Sequence, residues 1–182
     1  MVRHCVWRDI LVAIGSNLPG PEGRTPLQTC EWAVDQLAAL PGLRLRGVSA
    51  WYETDPIPAA EQPPFVNGVA LLTGEAAPHA LLQALHGIEA AADRVRSVPN
   101  AARTLDLDLI ALDGLVVDGP DLRLPHPRAA ERAFVLAPLC DVAPGWRHPV
   151  LGRSAADLLP SVAEQPIRRL ALAGGPLRPY LL

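Results

Sequence analysis

Apolar residues follow two different repeats along the chain, and each repeat predicts a different element. Residues 10–14 ("ILVAI") form a short apolar run that stops at the turn-forming "GSN", as a buried strand would. Further on, apolar residues recur every three or four positions after Thr25, which suits a helix N-cap, and Pro26, which suits the first turn. The pattern therefore predicts a strand and then an amphipathic helix that ends near the "PG" at 41–42.

Two more strands and a second helix are predicted in the middle of the chain. Residues 43–54 ("LRLRGVSAWYET") alternate and then become aromatic, and residues 65–73 ("FVNGVALLT") form another largely apolar run. The loop between them contains too many prolines for a helix or a central strand. Pro78 then begins a helix whose apolar stripe continues to about Arg94.

The stretch "RTLDLDLIALDG" (103–114) places two carboxylates, separated by one residue, within an apolar run. Because the side chains of a strand alternate between its faces, we expect Asp106 and Asp108 on one face. The opposite face is expected to carry the apolar side chains of Leu105, Leu107, Leu109 and Ala111. Two like charges about 7 Å apart on a half-buried surface repel each other and resist desolvation, so another group must compensate them.

The order strand, helix, strand, strand, helix, strand indicates an α+β fold of the ferredoxin-like class, a βαββαβ core with extra C-terminal elements. We expect an antiparallel sheet with both helices on one face and loops on the other. Ser154 and Asp157 predict the capping pair of a short late helix. Residues 1–182 contain no internal repeat or linker, so we expect a single domain, whose tail at 161–182 stays unassigned.

Composition and charge bear on which partners the chain could bind and on the compartment in which it is expected. With 182 residues and 49% hydrophobic content the chain can bury a full core, and its net charge of -3 gives no general reason to expect binding to nucleic acid or to an anionic membrane. Cys5, Cys30 and Cys140 lack disulfide or zinc spacing and are expected to be reduced core residues. The first apolar run is too short for a signal peptide or a membrane span, so we expect a cytoplasmic protein.

The carboxylate strand lies close to several arginines in the sequence. Arg94, Arg96 and Arg103 precede it in a segment that contains the loop-forming "SVPNAA". Carboxylates beside clustered guanidinium groups suit a metal-bound polyphosphate, in which Mg²⁺ compensates the carboxylates and arginine binds phosphate oxygens. Surface ion pairs between these residues are the alternative, and the pattern alone leaves both open. Downstream, His126 and Arg132 can each donate hydrogen bonds to a polyphosphate.

Four sequence signatures together resemble one enzyme family. They are "AIGSNL", "YETDP" followed by "QPPFVNGV", "RTLDLDLI", and "LPHPRAAERAFVLAPL", and they occur in the family's order. Over roughly residues 10–160 the chain resembles 6-hydroxymethyl-7,8-dihydropterin pyrophosphokinase, an enzyme of folate biosynthesis. The resemblance implies the ferredoxin-like architecture and transfer of pyrophosphate from ATP to the hydroxymethyl group of the pterin, with release of AMP.

The resemblance also implies roles for individual residues. Asp106 and Asp108 would hold two Mg²⁺ ions and would take part in catalysis together with Arg94 and Arg103. Contacts to ATP are implied for Glu89, Arg94, Arg96, Arg103, His126 and Arg132. A pterin pocket is implied for Thr54, Asp55, Ile57, Phe65, Asn67 and Phe134. Without the resemblance, Phe65 and Phe134 are interpreted more simply as core aromatic residues. Asn67 in the middle of an apolar strand is harder to explain in that way, because a buried amide needs partners.

The chain departs from the family at two places. The family usually carries Arg-Trp-Gly-Pro before the arginine that matches Arg103, whereas this chain has "PNAA" in a loop that is one residue shorter. A position that often holds a phosphate-facing arginine is Asp121 here, with Arg123 nearby. A non-catalytic pterin-binding or nucleotide-binding module with a degenerate lid is therefore an alternative to the enzyme.

An RNA-binding domain of the same fold class is a further alternative. Such domains need a basic sheet face with stacking aromatic residues, and the sequence lacks that pattern. We therefore expect a monomer whose partners are the small molecules ATP and hydroxymethyl-dihydropterin, with neither nucleic acid nor membrane.

Overall fold

The apolar run that follows Asp9 forms the centre of the main sheet. In the computed structural model, which describes residues 8–56, 61–94 and 102–171, this run belongs to β1 (Arg8–Ser16). β1 lies between β4 (Phe65–Gly74) and β5 (Asp106–Leu112) and is antiparallel to both. It is almost entirely buried, which explains its continuous apolar sequence.

Five shorter strands extend the sheet or lie beside it. The prediction of one strand over residues 43–54 is wrong in detail, because residues 49–51 separate two strands, β2 (Leu43–Val48) and β3 (Tyr52–Thr54), both paired with β4. The C-terminal strand β8 (Ile167–Arg169) pairs with β3 at the sheet edge. A separate hairpin consists of β6 (Val117–Asp118) and β7 (Arg123–Leu124).

Two helices cover one face of the sheet, as the sequence predicted. α1 (Pro26–Ala38) begins with a capping box in which Thr25 accepts from the backbone N–H of Gln28. α2 (Pro78–Ala91) begins at its proline and ends three residues before Arg94. Their apolar stripes pack on one side of β1, β4 and β5 and bury side chains such as those of Val34, Leu37, Leu85, Ile10 and Leu72.

The other face is not left to loops, and that part of the prediction is wrong. α3 (Ala133–Val142) and the short α4 (Ala155–Leu158) pack on it and form a second core with Leu11 and Val69. The capping pair predicted for α4 is confirmed, since Ser154 and Asp157 bond to each other's backbone. The ferredoxin-like α+β fold is thus confirmed, with C-terminal helices added on the second face.

The carboxylates of β5 point toward this second face. Ala13 of β1 lies opposite Asp108 of β5 on one side and opposite Val69 of β4 on the other, so the three side chains point to the same face of the sheet. Val69 belongs to the second core, which identifies that face. β5 contains an extra residue at Ile110, where the pairing with β1 shifts by one. The bulge places Ala111 in the second core, so its predicted position on the side of Leu105 is wrong.

Within the described ranges, the helices are all too short or too polar to cross a membrane. Two of the cysteines have free thiols: Cys30 is buried in α1, and Cys140 is half-buried in α3. Cys5 lies outside the described residues.

Candidate active site

Three arginines compensate the two carboxylates of β5. Asp106 is held on both oxygens, by Arg94 Nη1 at 2.6 Å from Oδ1 and by Arg103 Nη1 at 2.6 Å from Oδ2. Arg132 Nη1 lies 3.7 Å from Asp108 Oδ2. The guanidinium groups come from the end of α2, the segment before β5 and the start of α3. The structure therefore brings together both carboxylates and three of the arginines that the sequence singled out.

Asp108 and His126 are both shifted toward their neutral forms. Burial raises the pKa of Asp108, and the charge of Asp106 raises it further, against the opposing effects of His126, Arg132 and Arg103. Burial lowers the pKa of His126. His126 Nδ1 accepts from the backbone N–H of Arg128 at 3.2 Å, so the neutral ring carries its proton on Nε2. The ring can donate one hydrogen bond without carrying charge.

Glu89 accepts a hydrogen bond from the backbone of β5, the strand that carries both carboxylates. Its side chain is only 2% exposed, and its Oε1 accepts from the backbone N–H of Leu107 at 2.8 Å. Arg94 bonds to the same carboxylate while also holding Asp106. Glu89 thus links the end of α2 to the free edge of β5 and orients Arg94, besides lining the cavity described below.

Asn17 orients the backbone of Arg103 and is a site residue that the sequence did not predict. Its Oδ1 accepts from the backbone N–H of Arg103 at 2.8 Å, and its own N–H donates to the Arg103 carbonyl at 3.1 Å. Its Nδ2 donates to Gln62 and to the Pro63 carbonyl. A polar residue directly after the buried strand β1 was the available signal, because a buried amide needs several partners.

A second cluster on the same face combines an amide with aromatic rings, which are the groups that a flat polar ring needs. Asn67 is 6% exposed and donates through Nδ2 to Thr54 Oγ1 at 2.8 Å. Phe65 lies two residues away on the same side of β4 and is half-buried. Phe134, in the first turn of α3, carries the guanidinium of Arg132 at 5.2 Å from its ring centre.

The remaining predicted pocket residues are placed less centrally. Asp55 follows β3 and is exposed. Ile57 and Arg96, together with the "SVPNAA" segment except its last alanine, lie outside the described residues, so their assignments stay predictions.

Gly15 separates the amide cluster from the carboxylate cluster. It pairs with Asn67 on one side and with Asp106 on the other, so these two side chains flank it on one face of the sheet. A Cβ atom at Gly15 would come within 3.0 Å of Asn67 Oδ1 and 3.9 Å of Asp106 Cβ. The missing side chain leaves a gap that joins the two clusters.

A cavity of about 310 Å³ lies beside the free edge of β5. Apolar residues from α2, β5 and the loop before β7 form part of its wall: Leu82, Leu107, Leu109 and Leu122. Arg94, Asp108 and His126 line it next to the carboxylate cluster. His86, Asp121 and Arg123 also line it, and Arg123 pairs with the exposed Asp118 at 3.1 Å. Leu82, His86 and Leu122 could not be predicted from the sequence as site residues, because helix and loop residues far apart in the chain meet only here.

Asp106 and Asp108 suit a metal ion that takes most of its ligands from water and phosphate and few from the protein. Among residues 8–56, 61–94 and 102–171, no group of three or more His, Cys, Asp or Glu side chains is placed to hold a metal ion. Two carboxylates beside a cavity lined by arginine and histidine side chains suit Mg²⁺, which takes its remaining ligands from water and phosphate oxygens. Asp106 and Asp108 therefore fit magnesium better than a structural zinc ion.

Comparison with known proteins identifies similar sequences over most of the chain. Residues 11–144 match the model of a family described as 7,8-dihydro-6-hydroxymethylpterin-pyrophosphokinase (HPPK). The 2-amino-4-hydroxy-6-hydroxymethyldihydropteridine pyrophosphokinase of Pseudomonas aeruginosa is 44% identical over 161 residues, which are 88% of this chain and 96% of the relative. The protein of the same name from Synechocystis is 34% identical over 172 residues, which are 93% of this chain and 85% of the relative.

Solved structures share the fold. The wild-type HPPK-DHPS protein of Plasmodium falciparum superposes with a TM-score of 0.66 at 12% identity. The match covers 90% of this chain and 46% of that longer chain. At this identity the likeness supports the architecture alone.

Proposed function

The chain belongs to the 7,8-dihydro-6-hydroxymethylpterin-pyrophosphokinase family, and we propose that its carboxylate cluster binds the MgATP of that reaction while its amide cluster binds the pterin. The enzyme transfers pyrophosphate from ATP to the hydroxymethyl group of 6-hydroxymethyl-7,8-dihydropterin in folate biosynthesis. The products are the pterin diphosphate and AMP. One observation carries the site assignment: Asn67, Gly15 and Asp106 lie side by side on one sheet face.

The charge balance of the site supports ATP entering as its magnesium complex. Asp106, Asp108 and Glu89 carry three negative charges when ionised, and Arg94, Arg103 and Arg132 carry three positive charges. The three arginines are therefore already matched by carboxylates, and a free triphosphate would lack compensation. We propose that Asp106 and Asp108 hold two Mg²⁺ ions. Bound Mg²⁺ supplies charge neutralisation of the phosphates and acidifies the hydroxyl that attacks them.

The arginines and His126 would hold the phosphates. Arg94 and Arg103 each pair with one oxygen of Asp106. Phosphate oxygens bound next to this carboxylate can therefore accept hydrogen bonds from the same guanidinium groups in place of the Asp106 oxygens. Burial lowers the pKa of His126 and so favours its neutral form, whose Nε2–H can donate to a phosphate oxygen. The adenine would occupy the cavity against Leu82, Leu109 and Leu122.

The pterin would lie over β4 with its hydroxymethyl group above Gly15. Asn67 offers both a donor and an acceptor to the polar edge of the ring, and Phe65 and Phe134 offer aromatic faces. The gap at Gly15 leads from Asn67 toward Asp106, so the hydroxyl oxygen can approach the β-phosphorus. The new O–P bond forms as the bridging bond between the α and β phosphates breaks and AMP leaves. The protein contributes position and electrostatics, without a covalent intermediate.

Formation of AMP from ATP, with and without hydroxymethyl-dihydropterin, tests the proposal. We expect AMP to form only when both substrates and Mg²⁺ are present, and Asp108→Asn to abolish it. A non-catalytic binding module would bind both ligands and release no AMP, which would refute the enzymatic assignment of the site. Monomeric state and cytoplasmic location stay predictions from the sequence.

A further inference from the structure

The segment between α4 and β8 lies beyond the residues that match the family model, yet it returns to the active site. We propose that Gln165 in this segment is a positioning residue that holds Arg132 in its phosphate-binding orientation. The inference rests on the role proposed above for Arg132.

Gln165 binds the two peptide groups that flank Arg132. Its Oε1 accepts from the backbone N–H of Ala133 at 2.9 Å. Its Nε2 donates to the carbonyl of Glu131 at 2.8 Å. One side-chain amide therefore restrains the backbone on both sides of the arginine, and a planar group with an acceptor and a donor side by side is suited to this.

Arg132 needs this support because of its place in the fold. It is the N-cap of α3, with φ -127° and ψ 114°, and no side chain of its own caps the helix. The first N–H groups of a helix have no partner within the helix, and an arginine cannot accept a hydrogen bond from them. Gln165 supplies the acceptor for Ala133 from outside, while the guanidinium of Arg132 reaches Asp108 and the ring of Phe134.

Gln165 is itself anchored at both ends. Its backbone N–H donates to the Val162 carbonyl at 3.0 Å, at the end of the turn after α4. Two residues later, Ile167 pairs with Thr54 of β3 and packs at the edge of the second core. The segment thus joins the strand that carries Thr54 to the helix start that carries Arg132. Both contribute to the proposed substrate pockets, so the C-terminal segment links the two sides.

The test is a double-mutant cycle between Gln165→Met and Arg132→Ala in the AMP assay. Gln165→Met keeps the length of the side chain and removes both hydrogen bonds. We expect it to lower kcat/KM for MgATP about tenfold in the wild-type background and less than about twofold in the Arg132→Ala background. Gln165→Glu keeps the acceptor for Ala133, so it should retain part of the lost activity. Glu164→Gln, at the exposed neighbouring position, serves as a matched control and should change nothing.

Thermal unfolding separates positioning from simple loss of folding, because rates are compared only between variants that are fully folded at the assay temperature. If Gln165→Met does not fold, the cycle is run with Gln165→Glu. Equal factors for the Gln165 variant in both backgrounds would overturn the inference, since Gln165 would then act independently of Arg132. A fully active Arg132→Ala would instead overturn the role of Arg132 itself, and the inference with it.

Discussion

Asn17 and Arg103, 86 residues apart, are joined by a reciprocal pair of hydrogen bonds: Asn17 Oδ1 accepts from the N–H of Arg103, and the N–H of Asn17 donates to its carbonyl. The side chain of Arg103 in turn holds Asp106. The turn after β1 thus fixes the backbone of an arginine that contacts Asp106, one of the two carboxylates proposed to hold magnesium.

We expect Asn17→Ala to lower both stability and activity. The substitution leaves the N–H of Arg103 without its partner and removes the contacts to the loop at Gln62 and Pro63. Stability should fall by about 1–3 kcal/mol in urea unfolding, the cost of unpaired buried polar groups, and kcat should fall as well. Asn17→Asp retains the acceptor for Arg103 and should keep more activity than Asn17→Ala. Equal activity of the two variants would contradict this role of Oδ1.

The two carboxylates should respond differently to removal of their charge. Asp106→Asn leaves Arg94 and Arg103 without the carboxylate that both contact, so stability without Mg²⁺ should fall by about 1–3 kcal/mol. Asp108→Asn removes a group whose pKa is raised by burial and by Asp106, so stability without Mg²⁺ should stay the same or rise. Both variants should lose AMP formation. Thermal unfolding in EDTA checks the contrast, and an equal change in both would contradict the charge arrangement.

Gly15→Ala should weaken binding of a pterin that carries the hydroxymethyl group more than binding of a pterin without it. The added methyl group would sit 3.0 Å from Asn67 Oδ1 and fill the gap toward Asp106. We expect affinity for hydroxymethylpterin to fall about tenfold and affinity for pterin without the substituent to change less. Gly87→Ala in α2 has nothing within 4 Å and is the matched control. Calorimetry with both pterins measures the difference, and the same loss for both would rule out the gap as the hydroxymethyl path.

Asn67→Leu keeps the branched shape of the side chain and removes the amide. Pterin affinity should fall by roughly 1 to 3 kcal/mol because the ring edge loses its partners, while MgATP affinity should stay nearly unchanged. Thr54 Oγ1 also loses its donor, so some of the change in stability is structural. Titration with each ligand decides the question. An equal loss of affinity for both ligands would make Asn67 a purely structural residue.

His148 should make stability depend on pH. Its Nδ1 accepts from the backbone N–H groups of Val150 and Leu151 at 3.3 and 3.2 Å, and burial lowers its pKa. The unfolded chain therefore takes up the proton first, so the stabilisation is complete above the unfolded pKa of about 6.5 and is lost as pH falls through the lower folded value. His148→Asn keeps a side-chain acceptor without titrating. Its stability should fall less than that of the wild type between pH 7.5 and 5, and parallel curves would contradict the prediction.

Local pattern was sufficient where one stretch of chain determines its own structure. Thr25 and Pro26 predict the start of α1 because capping depends only on the next few residues. The alternation around Asp106 and Asp108 predicts their common face because strand geometry is periodic. The four signatures identified the family because each is a short motif read directly from the chain.

Tertiary structure decided what depends on contacts between distant segments. No local pattern pairs Asn17 with Arg103 or places Gln165 against Arg132, since each contact exists only after the sheet has formed and the C-terminal segment has returned to it. The bulge at Ile110 moved Ala111 to the opposite face because pairing with β1 overrode simple alternation. The sequence therefore predicted which groups could carry the proposed chemistry. The packing of α3 on the sheet and the pairing of β8 with β3 decided how those groups are held, because these contacts join segments too far apart for any periodic pattern to relate.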